Sequence, residues 1–161
     1  MIQSTSEQKY YCKVDNFNFQ FMCNQTNIPM MVSLPSKMFV PVEIINDVAE
    51  ASFTTTKYED NKCYDNVAKT LLKNISSHPD LMLCIGLHQC EDKPEQIVEH
   101  CWFEYNGVFY DFLQELPKAR YHKYVSFNTI ELMDVMDSIG CDTVPNIIQF
   151  YSWAQHKLKI G

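Results

Sequence analysis

Asn106-Gly107 is the most constraining dipeptide in this chain, because a two-residue type I′ hairpin turn needs φ > 0 at both central positions. The flanks, Glu99 to Tyr105 and Val108 to Asp111, are rich in the aromatic and β-branched residues that strands favour. A turn there places Tyr105 opposite Val108. The pairing then runs Glu104 with Phe109, Phe103 with Tyr110, and Trp102 with Asp111. Cross-strand partners share a face, and so do residues two apart on one strand. His100, Trp102 and Asp111 are therefore expected on one side of the sheet. A carboxylate beside an imidazole fixes its tautomer and stabilises its protonated form.

A nucleophile for such a pair lies upstream. The stretch from Asp60 to Asn74 predicts a helix that starts at or near Cys63. Asp60 and Asn61 are good N-cap residues, and Asp65 is a favourable charge in a first turn. Val67, Ala68, Leu71 and Leu72 form one apolar helical stripe. Asn74 is suited to close the helix in the left-handed conformation. A cysteine at a helix N-terminus feels the positive end of the dipole, which favours thiolate, and a nearby imidazole adds to this. The chain order is thus Cys63, His100, Asp111: a helix followed by two adjacent strands.

Lys62-Cys63-Tyr64-Asp65-Asn66-Val67-Ala68 and the run from Glu99 to Asp111 resemble the papain-like superfamily. The transglutaminase-like and NlpC/P60-like branches are the most similar. The resemblance covers roughly Asp60 to Phe112. Phe112-Leu113 stands where transglutaminase-like chains often carry Pro-Thr. It implies an α+β fold with a papain-like core, in which a Cys-bearing helix packs on a mainly antiparallel sheet carrying His and Asp. It also implies cysteine-dependent acyl transfer: amidase, peptidase or deamidase chemistry, or transglutaminase-type crosslinking. Cys63, His100 and Asp111 are then the catalytic residues. Asn61, Tyr64 and Trp102 are candidate substrate-binding or oxyanion residues, with Trp102 better suited to a core or cleft wall than to a specific substrate contact. The Cys63 backbone N–H, at a helix start, is a natural oxyanion donor. Gln89 is a further amide that nothing in the sequence places.

Bulk properties bound the alternatives. At 161 residues, one domain is the economical reading, with residues 1–8 a mobile tail and 9–161 the domain. A net charge of −7 argues against general nucleic-acid binding. No apolar run approaches ~18 residues, so no membrane span is expected. The first residues lack the plan of a signal peptide. Seven cysteines, an odd count with no CxxC, favour free thiols in a reducing, cytoplasmic setting. No cofactor is expected, and only four glycines occur, too few for a phosphate-cradling loop. Cys84, His88, Cys90 and His100 are possible zinc ligands. However, Cys84 to Cys90 would extend ~20 Å along a strand, too far for one tetrahedral ion. The expected partner is a protein, peptide or amide substrate. The competing reading is a non-catalytic or inhibitor-type binding protein that docks on a host protein, as small acidic phage and viral accessory proteins do.

Elsewhere the pattern predicts strands within Tyr10 to Cys23, broken near Asp15-Asn16, and at Pro29 to Leu34. A helix is predicted over Val40 to Ala51, with Pro41 in its first turn and Ile44, Ile45 and Val48 as its stripe. Phe53 to Tyr58 reads as extended. Leu81 to Leu87 is a near-continuous apolar run, expected to be a central strand buried on both faces. A polar stretch from Pro117 to Tyr121 precedes a strand at Tyr124 to Phe127. Asn128 or Thr129 then caps a helix ended by Gly140, and Pro145 opens a final helix through about Lys159. Glu99 and Glu104, five apart on one strand, fall on opposite faces and form no carboxylate pair.

Overall fold

The apolar run around Leu83 becomes the middle of a mixed sheet. A computed structural model describes residues 15–22, 29–57, 63–112 and 118–160. The tail 1–8, Cys12, Cys23, Asp60 and Asn61 lie outside the described residues. The strands are β1 (Asn16–Met22), β2 (Pro29–Pro35), β3 (Val40–Val42), β4 (Ile44–Ile45), β5 (Met82–Cys90), β6 (Ile97–Tyr105), β7 (Val108–Tyr110) and β8 (Ala119–Asn128). The helices are α1 (Cys63–Lys73), α2 (Thr129–Ile139) and α3 (Ile147–Ile160). The sheet order is β2-β1-β6-β5-β8-β3, with β7 on β6 and β4 on β7. Five pairings are antiparallel; β1 with β6 and β4 with β7 are parallel. This is an α+β architecture with a mainly antiparallel sheet.

The segment 40–45 departs from expectation. It is two short strands, not a helix, and only Val48–Glu50 forms a single 3-10 turn. Val40, Val42, Ile44 and Ile45 are β-branched, and their pairing partners are strands already in place. Val40–Val42 pairs with β8, and Ile44–Ile45 pairs with β7. Pro41 is tolerated because β3 is an edge strand. One short segment thus bridges β8 on one side and β7 on the other, which requires the sheet to curl.

The two sheet faces differ in chemistry. Leu83, Ile85 and Leu87 of β5 share a face with Cys101 and Phe103 of β6. These residues join one buried cluster with Val67 and Leu71 of α1, Leu132 and Val135 of α2, and Ile147 of α3. The predicted α1 stripe is narrower than expected, since Leu72 is 59% exposed. The other face carries Cys84, Gly86 and His88 of β5 with His100, Trp102 and Glu104 of β6.

Helix α1 ends through its Asn74 side chain, not through a left-handed residue. Among the described residues, Asn106 is the only non-glycine with positive φ. Asn74 Nδ2 donates to Thr70 O at 2.8 Å and to Thr54 O at 2.7 Å, while its Oδ1 accepts from Thr54 N at 3.0 Å. The extended segment before α1 is thereby tied to the helix. Helix α2 has the expected capping box, with Asn128 and Glu131 bonding reciprocally, and ends at Gly140 with φ of 83°. Helix α3 starts behind a similar exchange between Asn146 and Gln149.

Gly86 sits where a side chain has no room. A Cβ there would lie 2.1 Å from the His122 carbonyl oxygen and 2.5 Å from Cη2 of Trp102. The β5–β8 register also shifts at Ile85/Gly86, a bulge that brings the backbones close. Gly86→Ala is expected to destabilise the fold by about 3 kcal/mol or more, since a backbone oxygen cannot move aside as a side chain would. Chemical denaturation of the variant checks this, and a midpoint equal to wild type would show that the strand pair can open there.

Candidate active site

The hairpin turns as the sequence requires. Asn106 has φ of 52° and Gly107 of 77°. The register is Tyr105 with Val108, Glu104 with Phe109, and Phe103 with Tyr110. Strand pairing ends there, and Asp111 follows as the next residue in register with Trp102. The Asp111 N–H donates instead to Ile45 O at 3.1 Å, which anchors the strand end to β4. Its carboxylate is buried, and Oδ2 is 2.8 Å from His100 Nε2.

Cys63 is the first residue of α1, as expected, and is partly exposed. Its thiol is near enough to His100 to act on the imidazole and raise its pKa. Burial alone pulls the His100 pKa down. The hydrogen bonds and charges of Asp111 and Cys63 outweigh burial and push it up to about 10.

Two cysteines of the sheet, Cys84 and Cys101, are buried and poor nucleophiles. Burial pushes the Cys84 thiol up to about 12 and raises that of Cys101 as well. Among the described residues, no cluster of histidine, cysteine and carboxylate side chains is arranged to hold a metal ion.

The sequence did not single out Tyr121, and it offered His88 only as a possible zinc ligand. Tyr121 donates its hydroxyl to the same Asp111 oxygen at 2.6 Å. It was hidden because β8 begins at Ala119, five residues before the predicted strand, so Tyr121 fell in an apparent polar loop. The β5–β8 register, His88 with Tyr121, puts it on the His100 face. His88 packs its ring against both His100 and Tyr121, with centroids 5.8 and 5.2 Å away. Burial and then the His100 cation lower the His88 pKa to about 4.

The remaining expected contacts are distributed differently. Trp102 is 0% exposed; it stacks edge-on against Tyr121 at 5.1 Å and lies beside His100 at 6.1 Å. It forms the wall behind the imidazole, and presents no open surface to a substrate. Tyr64 turns its buried hydroxyl toward Glu99 without completing a hydrogen bond. Glu99 lies on the opposite face from His100, where its carboxylate accepts from the Ile147 N–H at the start of α3. Burial raises the Glu99 pKa to about 7 despite that bond. Gln89 is committed elsewhere, to Pro94 O at 2.9 Å and His122 at 2.9 Å, on the face away from the site. Asn61 is outside the described residues.

No family model matches the chain, and no curated protein or solved structure matches it. No helix among the described residues is long and apolar enough to cross a membrane.

The histidines give this site a definite pH signature. His88 and His122 are both held neutral, with pKa values lowered to about 4 chiefly by burial. Unfolded histidine takes up its proton near pH 6.5. Between about 6.5 and 4 the unfolded state binds more protons, so stability falls as pH falls. Glu99, raised to about 7, acts in the opposite sense between about 7 and 4.5 and offsets part of the loss. His100, with its raised pKa, contributes its stabilisation in full below 6.5 and does not vary there. The melting temperature should drop as pH falls from 6.5 to 4.5, and drop less in His122→Gln. A flat or rising profile by scanning calorimetry would contradict the neutral assignment of the two histidines.

Proposed function

We propose that this protein is a cysteine-dependent acyl-transfer enzyme with a papain-like core and a Cys63–His100–Asp111 triad. One observation carries the reading: the imidazole of His100 is held at Nε2 by the buried carboxylate of Asp111, and the cysteine at the start of α1 interacts with that same imidazole. A nucleophile, a base and an orienting group in that relation are what acyl transfer needs.

In this mechanism the Cys63 thiolate attacks the carbonyl carbon of an amide, ester or thioester. The carbonyl oxygen gains negative charge, and the Cys63 backbone N–H at the start of α1 is the donor placed to hold it. The imidazolium of His100 protonates the leaving group as the tetrahedral species collapses to an acyl-thioester. His100, now neutral, takes a proton from an incoming water or amine, which attacks the thioester carbonyl and releases Cys63 as thiolate with His100 again protonated. Asp111 keeps the ring oriented through both half-reactions. Cys63 is partly exposed, while the buried Cys84 and Cys101 are shielded from an acyl donor.

The experiment is to incubate the protein with a panel of peptide amides and thioesters and to seek an acyl mass increment on one peptide by mass spectrometry. The increment is expected on Cys63, absent in Cys63→Ala and reduced by about 10² or more in His100→Ala. Turnover retained in Cys63→Ala would remove the mechanism. A folded protein that accepts no acyl group and instead retains a host protein would favour the binding reading.

A further inference from the structure

Asp111 lies just past the end of β7, with its N–H bonded to Ile45 O. Pairing of β7 with β6 stops at Tyr110, one residue earlier. A carboxylate at a strand end, buried and charged, requires donors from elsewhere to hold one rotamer. Tyr121 supplies one from β8, on the far side of β5, through a 2.6 Å bond to the same Oδ2 that His100 engages. That length is typical of a hydroxyl donating to an ionised carboxylate.

The reach across β5 is possible because the residue between is Gly86. It pairs with His100 on one side and Lys123 on the other, and leaves the space over β5 open. Trp102 occupies that space, its Cη2 lying where a Cβ of residue 86 would clash. The Tyr121 ring then stands edge-on to Trp102 at 89° and to His88 at 86°. Two rings at near right angles define the orientation of the third, and its hydroxyl is aimed at Asp111.

We infer that Tyr121 is a positioning residue of the site, a fourth member that holds Asp111 ionised and turned toward His100, and so sets the reactivity of Cys63. This rests on the triad reading above. The hydroxyl acts through Asp111 and His100 and need not touch substrate. Its effect should therefore reach the His100–Asp111 bond even where no substrate is present.

The test uses the whole chain, with iodoacetamide as probe of Cys63 and proton NMR as probe of the His100–Asp111 bond. Tyr121→Phe keeps the ring and removes the hydroxyl. Its Cys63 alkylation at about pH 6 should slow by about tenfold or more, as expected when an orienting contact is lost. The downfield Nε2–H resonance of His100 should broaden or vanish. In case the variant folds poorly, fluorotyrosines incorporated at position 121 keep the shape and grade the donor strength. The His100 resonance should then move progressively with phenol acidity. Unchanged alkylation together with an unchanged resonance in these proteins would overturn the proposal. The triad reading fails separately: alkylation of Cys63 that ignores His100→Ala removes the triad, while the resonance still reports whether Tyr121 orders Asp111.

Discussion

The two positive φ angles at Asn106 and Gly107 fix a register, and the register fixes which side chains can meet. With Tyr105 against Val108, a one-residue slip is excluded, and a slip would send Asp111 to the apolar face. Held in place, Asp111 arrives on the face of His100 and at bonding distance from Nε2. The pair is then buried together, where each partner makes the other's charge tolerable. Burial alone would favour a neutral carboxyl and a neutral imidazole at that depth, and burial is the chief cause that lowers the pKa of His88 on β5 and of His122 on β8.

Opposite faces of one strand pair do opposite work. Leu83, Ile85, Cys101 and Phe103 bind α1 through Val67 and Leu71 and so place the helix start. His100, Trp102, Gly86 and His88 form the polar and aromatic layer on the other side. Cys63, at the start of α1, packs against the edge of the apolar cluster. Asn74, Thr70 and the bonds to Thr54 and Thr56 hold the far end of the helix to the preceding chain, so its position follows from both ends of the segment.

Much of this was legible because it rests on local chemistry. The hairpin, the start of α1 at Cys63, the central strand at Leu83 and the caps of α2 depend on turn residues, capping residues and short apolar runs. The segment 40–45 was misread because its β-branched residues suit two patterns, and distant partners β7 and β8 decide between them. Asn74 was misassigned for a similar reason: its side-chain partner Thr54 is twenty residues away. Tyr121 was invisible since a half-buried strand start with Lys118, Arg120 and Lys123 reads as polar loop. Its meaning comes only with the register of β8 on β5. Nothing local marks Gly86 as the opening that lets Trp102 and Tyr121 pack.

The relation of Cys63 to His100 is the claim on which the chemistry stands. The most direct measurement is the pH dependence of iodoacetamide labelling at each of the seven cysteines, in wild type and in His100→Ala. Cys63 is predicted to label far faster than the others at about pH 6 and to lose that advantage in the variant. A Cys63 that labels no faster than the other exposed thiols, or equally fast without His100, would contradict the account.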